Sequence, residues 1–228
     1  MAQGFFITGT DTDAGKTWVA AGLLAALGKR GYRTAAMKPV ACGGISTPEG
    51  LRNEDALLLM RHATNDAAYE LVNPYFFAQP VAPHIAATAQ AKSISIPVLK
   101  QVFDKLAKSI DFVVVEGVGG WMVPLNERET TADLAALLGL PVILVVGMRL
   151  GCLSHALLSC ESIISKGLPL AGWVANTLDP AMPELEKNIA ALQKRIAAPL
   201  LGVVPYLPDF SADTIGAALD VQVLLKTY

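Results

Sequence analysis

Six short apolar runs alternate with longer helix-like stretches along the chain. The runs are rich in β-branched residues and cover residues 5–8, 34–40, 112–115, 142–146, 171–175 and 200–204. Each run is nearly continuous rather than alternating, which is typical of parallel strands whose two faces are both covered. Helices are predicted between them, at residues 16–30, 53–62, 131–138, 154–166 and 182–196. The pattern therefore predicts an α/β fold with a doubly wound, mainly parallel sheet.

A region rich in proline interrupts this alternation between the second and third predicted strands. Pro74, Pro80, Pro83 and Pro97 lie close together, so we expect an elaborated loop at residues 71–95 with a short helix after Pro83. The chain contains no internal repeat, no low-complexity tract and no linker long enough to divide it. We therefore predict a single domain over residues 1–228.

Composition narrows the class of protein further. Only 17% of the residues are charged and 53% are hydrophobic, but the longest uncharged stretch, residues 134–148, is shorter than the roughly 18–20 residues that span a bilayer. The N-terminus also lacks the basic and apolar segments of a secretory signal. A net charge of −2 argues against a nucleic-acid partner. Cys42, Cys152 and Cys160 form no CxxC pair, which indicates reduced thiols and a cytoplasmic location.

The first predicted strand runs directly into a phosphate-binding loop, GTDTDAGKT at residues 9–17, and then into a predicted helix. Such a loop directs backbone N–H groups at phosphate oxygens, which indicates a fold like that of P-loop nucleoside triphosphate hydrolases. Lys16 would reach the β- and γ-phosphates, and the Thr17 hydroxyl would bind Mg²⁺. The standard spacing has glycine where Thr10 stands, and the nearest glycine is Gly9, so the loop is one residue longer. Because a cation at a helix start opposes the helix dipole, a merely structural turn does not explain Lys16.

Charged side chains follow the ends of two predicted strands. Glu116 comes directly after residues 112–115, at the edge where parallel sheets bind ligands, so we expect it to hold Mg²⁺ together with Thr17. Lys38 lies near the end of the second run and is a candidate cation for phosphoryl transfer, or alternatively a surface lysine with a snorkelling stem. Asp55, in the first turn of a predicted helix, is either a partner of the helix dipole or a third metal ligand.

The fifth predicted strand ends at Asn176, a candidate for reading the nucleotide base. An asparagine amide pairs with the edge of adenine through one donor and one acceptor. Asn176 and Asp179 also fit a degenerate Asn-x-x-Asp pattern of guanine readers, although the usual lysine is absent. The residues alone therefore leave the base preference open.

Taken together in their order, these motifs resemble the dethiobiotin synthetase family. The resemblance covers nearly the whole chain and includes the same longer phosphate loop. The matching segments are residues 9–17, 32–34, 38–40, 47–53 with Asp55, 73–75, 83–84, 115–121, 141–147, 151–152 and 171–176. The resemblance implies a homodimeric ligase of biotin biosynthesis. It would use ATP and Mg²⁺ to close a ring on 7,8-diaminononanoate with CO₂, through a carbamate and a carbamic–phosphoric mixed anhydride.

The resemblance also implies a role for each matching residue. Lys16 and Lys38 would be the catalytic cations. The metal ligands would be Thr17, Asp55 and Glu116. The nucleotide would contact Asp13, Ala14, Gly15, Lys16, Thr17, Trp18, Asp55, Glu116, Gly119, Asn176, Thr177, Pro205, Tyr206 and Leu207. The diamine would contact Thr12, Lys38, Cys42 and Gly119, and its tail would reach Gly151, Cys152 and Ser154 in the second copy of the dimer. Cys42 and Ser154 stand where family members often carry serine and asparagine.

Two other functions share parts of this pattern. A dimeric P-loop ATPase switch usually carries an extra lysine early in its loop, and residues 10–13 of this chain include none. A related amide-forming ligase would need a glutaminase domain, for which 228 residues leave little room. The sequence therefore favours the dethiobiotin synthetase reaction over both alternatives.

Overall fold

A six-stranded parallel sheet runs through the computed structural model, which describes residues 3–227. The strands are β1 (Gln3–Gly9), β2 (Thr34–Met37), β3 (Val40–Cys42), β4 (Ile45–Thr47), β5 (Gly50–Arg52), β6 (Tyr75–Phe77), β7 (Phe112–Glu116), β8 (Val142–Met148), β9 (Leu170–Thr177) and β10 (Leu200–Val204). The main sheet has the order β10-β9-β8-β1-β7-β2, and every neighbouring pair in it is parallel. The predicted doubly wound, mainly parallel sheet is confirmed.

Helices cover both faces of this sheet. They are α1 (Lys16–Gly28), α2 (Glu54–His62), α3 (Tyr69–Val72), α4 (Pro83–Ala89), α5 (Ile96–Leu106), α6 (Thr131–Leu138), α7 (Cys152–Ser165), α8 (Leu185–Gln193), α9 (Ala212–Ala218) and α10 (Val221–Thr227). On one face, Phe5 and Ile7 of β1 belong to a core formed with α1, α2, α9 and α10. On the other face, Phe6 belongs to a core formed with α4, α5 and α6. The continuous apolar runs of the sequence reflect this double cover.

The second predicted strand, residues 34–40, is wrong as a single element. β2 ends at Met37, and the Lys38 amide donates instead to the Val72 carbonyl at 2.8 Å. Pro39 has no N–H group with which to continue the ladder. The chain therefore leaves the main sheet, and β3 pairs in parallel with β6 in a separate two-stranded sheet. This break lies at Lys38, at the carboxyl end of the sheet.

The region between β2 and β7 contains more helices and strands than the sequence predicted. The short helix after Pro83 is present as α4, but β6 also lies within the expected loop of residues 71–95. The β4–β5 hairpin and helices α5, α9 and α10 were not predicted, and three predicted helices have shifted ends. These are α1, which ends at Gly28, α7, which begins at Cys152, and α8, which is shorter at both ends. Within residues 3–227, no helix has the length and apolarity needed to cross a membrane.

We expect the substitution Gly22→Ala to destabilise the protein, although alanine is the better helix former. Helix propensity alone would favour alanine by about 1 kcal/mol. A Cβ atom at Gly22 would, however, lie 2.5 Å from Ile215 Cγ2 and 2.8 Å from Ile215 Cβ, where α9 packs on α1. Overpacking of this kind costs about 1–3 kcal/mol. Thermal unfolding should therefore give a lower Tm for this variant, and a Tm at or above the wild-type value would contradict the packing.

Candidate active site

The phosphate loop joins β1 to α1 at the carboxyl edge of the sheet. Gly15 immediately precedes α1 and has a φ of 92°, in the region that favours glycine. No side chain caps the first turn of α1, so its backbone N–H groups remain available to an anion. A Cβ atom at Gly15 would lie 2.0 Å from Asn176 Nδ2, which itself donates to the Ala14 carbonyl at 3.0 Å. The loop is thus packed against the end of β9.

A cavity of about 340 Å³ opens at this loop. The nucleotide residues expected from the sequence line it, except for Ala14, Glu116 and Gly119. Leu178 also lines the cavity and was not expected. Its only sequence signal is its position two residues after Asn176, just beyond the end of β9. The cavity therefore brings the phosphate loop together with the segments that follow β9 and β10.

Lys38 lies at the centre of a buried polar cluster beside this cavity. Its Nζ atom is 2.5 Å from Glu116 Oε1 and 3.0 Å from Asp55 Oδ2, and the Thr17 hydroxyl donates to Glu116 Oε1 at 2.8 Å. Lys38 is only 3% exposed and Glu116 is fully buried. The alternative of a snorkelling surface lysine is therefore wrong, and Asp55 contacts Lys38 in addition to lying near a helix N-terminus.

Burial and charge shift the ionisation of this cluster in different directions. Burial would lower the pKa of Lys38, but the attraction of Glu116 and Asp55 outweighs it and the pKa rises. Burial opposes ionisation of Asp55, yet Lys38 holds the pKa of that carboxyl below its usual value. At Glu116, burial raises the pKa and Lys38 offsets this only partly. Burial also lowers the pKa of Lys16, against the attraction of Glu116. The cluster is thus held together by charges that would each be costly in isolation.

The donor set around Glu116 fits a magnesium ion. Glu116 Oε2 is buried and has no hydrogen-bond partner among residues 3–227, so one carboxylate oxygen remains for a ligand. Thr17 and Asp55 supply further oxygen atoms, the donors that Mg²⁺ prefers. No group of three His, Cys, Asp or Glu side chains suited to a metal occurs in the described part of the chain. A magnesium ion here would therefore complete its coordination with phosphate oxygens and water.

The residues expected to contact the diamine lie in two separate places. Thr12 and Gly119 are neighbours, since a Cβ atom at Gly119 would lie 3.6 Å from Thr12 Oγ1. Cys42 is half-buried at the end of β3, and burial raises the pKa of its thiol despite the charge of Lys38. Gly151, Cys152 and Ser154 lie at the start of α7, outside the lining of the nucleotide cavity. The single chain does not bring this last group to the cavity.

We expect Gly15→Ala to weaken nucleotide binding at least tenfold. The added Cβ atom would displace Asn176 and force a residue with a side chain into a positive φ. Gly139→Ala is the matched control, because Gly139 has a φ of 66° and open space around its Cβ position. Titration with ADP should show near-normal affinity for the control. Equal losses in both variants would mean that general destabilisation of the fold, rather than a local change at the phosphate loop, causes the effect.

The chain is similar to known proteins over nearly its whole length. A family model described as an AAA domain matches residues 3–214. A protein from Cellvibrio japonicus called ATP-dependent dethiobiotin synthetase BioD is 56% identical over 98% of both chains. Proteins of the same name are 53% identical in Pseudomonas paraeruginosa, over 96% of this chain and 97% of theirs, and 44% identical in Yersinia pestis, over 98% and 96%.

Solved structures agree on the fold alone. The septum site-determining protein MinD of Pyrococcus horikoshii, complexed with Mg-ADP, has a TM-score of 0.58 and 19% identity over 100% of this chain and 90% of its own. A ParA family ATPase from Chlorobium tepidum has a TM-score of 0.57 and 12% identity over 100% and 95%. Because the chain is 44–56% identical to its three dethiobiotin synthetase relatives over nearly its whole length, it belongs to the family of ATP-dependent dethiobiotin synthetases.

Proposed function

We propose that the protein closes the ring of dethiobiotin from 7,8-diaminononanoate and CO₂ at the expense of ATP, as a Mg²⁺-dependent cytoplasmic homodimer in biotin biosynthesis. The observation that carries the proposal is the buried Lys38, which lies beside the phosphate loop and contacts both Glu116 and Asp55. Simple nucleotide binding does not require a second buried cation next to Lys16. Transfer of the γ-phosphoryl group to a substrate anion does, because negative charge develops between the two reactants.

The chemistry requires positioning more than acid–base groups. One amine of the substrate attacks CO₂ and loses a proton, which leaves a carbamate. A carbamate oxygen then attacks the γ-phosphorus atom and ADP leaves. The second amine attacks the carbonyl carbon and gives up a proton to the departing phosphate, the C–O bond to the phosphoryl group breaks, and inorganic phosphate leaves as the ring closes. In this scheme Lys16 binds the β- and γ-phosphate oxygens, and Lys38 stabilises the carbamate and the phosphoryl group during transfer.

Thr17, Asp55 and Glu116 would hold Mg²⁺ at this point, where it supplies charge neutralisation on the phosphate oxygens. The unpartnered Glu116 Oε2 supports this assignment. Lys38 contacts the carboxylates of Asp55 and Glu116, so these two side chains would both orient the Lys38 ammonium group and bind the metal. No further general base is required of the protein, and none of the three histidines lines the nucleotide cavity.

The orientation of Asn176 supports adenine as the base. Its Nδ2 atom donates one hydrogen to the Ala14 carbonyl, so the Oδ1 acceptor and the second N–H remain for a nucleotide. An acceptor oxygen at this position favours the amino group of adenine and repels the carbonyl oxygen that guanine carries there. Trp18, Pro205 and Leu207 supply apolar surface in the same cavity.

An exposed apolar surface near the phosphate loop supports the homodimer. Met122, Leu150 and Leu158 are 57%, 100% and 62% exposed. Met122 and Leu158 line one shallow cavity together with Thr10 and Asp11 of the phosphate loop, and Leu150 directly precedes the turn at Gly151. A second copy covering this surface would explain why the substrate residues at the start of α7 lie away from the cavity of their own chain.

The proposal is tested by the substrate dependence of phosphate release. We expect release from ATP to require both bicarbonate and the diamine, and label from ¹³C-bicarbonate to appear in dethiobiotin. Each omission control should abolish release, because without a carbamate there is no nucleophile at the γ-phosphate. Phosphate release that proceeds without the diamine and does not respond to it would instead indicate an ATPase switch.

We expect Lys38→Met to lose turnover by at least 100-fold while ADP affinity stays within about threefold of wild type, because Lys38 acts on the transferred group. The single substitution also leaves Glu116 as an unpaired buried charge, which costs about 3–5 kcal/mol in stability. The paired variant Lys38→Met/Glu116→Gln removes that charge, so thermal unfolding should show recovered stability, and the single variant Glu116→Gln measures the turnover lost with the expected metal ligand alone. A paired variant as fast as Glu116→Gln would mean that Lys38 has a structural role only.

A further inference from the structure

The first half of the phosphate loop is tied to β8 at three alternate positions of the chain. The Thr10 amide donates to the Val145 carbonyl at 2.9 Å, and the Gly147 amide donates to the Thr10 hydroxyl at 3.3 Å. Arg149 then forms an ion pair with the Asp11 carboxylate. Backbone groups of Val145 and Gly147 and the side chain of Arg149 thus follow the loop for two residues past the end of β1. The last of these contacts, between Arg149 and Asp11, is the one made by two side chains.

Asp11 connects this attachment to two residues of the site. One carboxylate oxygen accepts the ion pair from Arg149, and the other accepts the Thr12 amide at 2.8 Å. The Asp11 carbonyl accepts Lys16 Nζ at 3.0 Å. A movement of Asp11 would therefore move Thr12, which is expected at the diamine, and release Lys16, which is expected at the triphosphate.

We propose that Arg149 is a positioning residue for phosphoryl transfer and acts through Asp11. Five residues separate Gly9 from Gly15, one more than in the standard phosphate loop. The attachment to β8 restrains this longer loop. Arg149 fixes the carboxylate of Asp11, and Asp11 in turn sets the direction of the Thr12 amide and of the Lys16 ammonium. The inference rests on the proposed function only for the roles of Thr12 and Lys16; the contacts themselves do not depend on it.

A structural role and a positioning role predict different measurements. Within one chain the side chains of Arg149 and Asp11 are 45% and 48% exposed, and ion pairs exposed to this degree contribute little to the stability of the chain. Because Asp11 borders the proposed dimer surface, the oligomeric state of each variant is measured beside its kcat, and a kcat loss that accompanies loss of the dimer would overturn the positioning role. A small displacement of a positioned group, by contrast, lowers a reaction rate by up to about 100-fold. The ion pair of Arg33 with Asp111 is the matched control, because it is similarly exposed and lies at the amino ends of the strands, far from the phosphate loop. Arg33 directly precedes β2, and Asp111 directly precedes β7.

The test compares Arg149→Met, Arg149→Lys and the control Arg33→Met in the full-length protein. We expect Arg149→Met to lower kcat at least tenfold, with ADP affinity within about threefold of wild type and an unchanged Tm. Arg149→Lys should recover most of kcat, because it keeps the charge near Asp11. Arg33→Met should leave kcat unchanged. A kcat for Arg149→Met equal to that of the control would overturn the proposal.

A double-mutant cycle with Asp11→Asn tests whether Arg149 acts through Asp11. Asparagine keeps an oxygen for the Thr12 amide but removes the charge that Arg149 holds. The double variant should be no slower than the slower single variant. Multiplicative losses would show that Arg149 acts independently of Asp11 and would overturn the inference. The wild-type protein in the same assay reports separately on the proposed function: if it hydrolyses ATP without the diamine, the function fails, while the ratios between variants still test Arg149.

Discussion

The buried ion pair between Lys38 and Glu116 is the interaction on which the arrangement of the site depends. It joins the ends of β2 and β7, and through Thr17 and Asp55 it also joins the first turns of α1 and α2. The free energy needed to move two charges out of water is commonly larger than the free energy gained from their attraction, and removal of one partner is strongly destabilising. The cluster is therefore better explained by chemistry than by stability: it keeps a cation and the carboxylate proposed to bind Mg²⁺ fixed beside the phosphate loop.

The backbone break after β2 is what makes this ion pair possible. Pro39 cannot extend the ladder, so the chain turns out of the sheet at Lys38 and continues as β3. Asn73 fixes the turn, because its Nδ2 atom donates to the Lys38 carbonyl at 2.7 Å. The lysine stem thus lies under the carboxyl edge of the sheet rather than along its surface. One proline and one asparagine, thirty-four residues apart, hold the proposed catalytic cation inside a mainly apolar protein.

Local pattern predicted the six strands and the phosphate loop, because each is encoded within a few neighbouring residues. Helix α5 could also have been found, since Ile96, Leu99, Phe103 and Leu106 follow a helical period. The division of the second strand could not, because it depends on pairing between β3 and the distant β6. Nor could the contact of Asp11 with Arg149, which lie 138 residues apart and meet only when β8 lies beside β1. Residues 151–154 are proposed to act in a second copy of the chain, which no local pattern describes.

In the proposed reaction a carbamate oxygen, and not water, attacks the γ-phosphate beside Lys38. Transfer of ¹⁸O reports on this step, because the attacking oxygen stays on phosphorus when the C–O bond breaks. With ¹⁸O-bicarbonate, ATP and the diamine, in a reaction short relative to oxygen exchange between CO₂ and water, we expect inorganic phosphate that carries one ¹⁸O atom. Unlabelled phosphate from labelled bicarbonate would contradict it, since the oxygen would then have come from water.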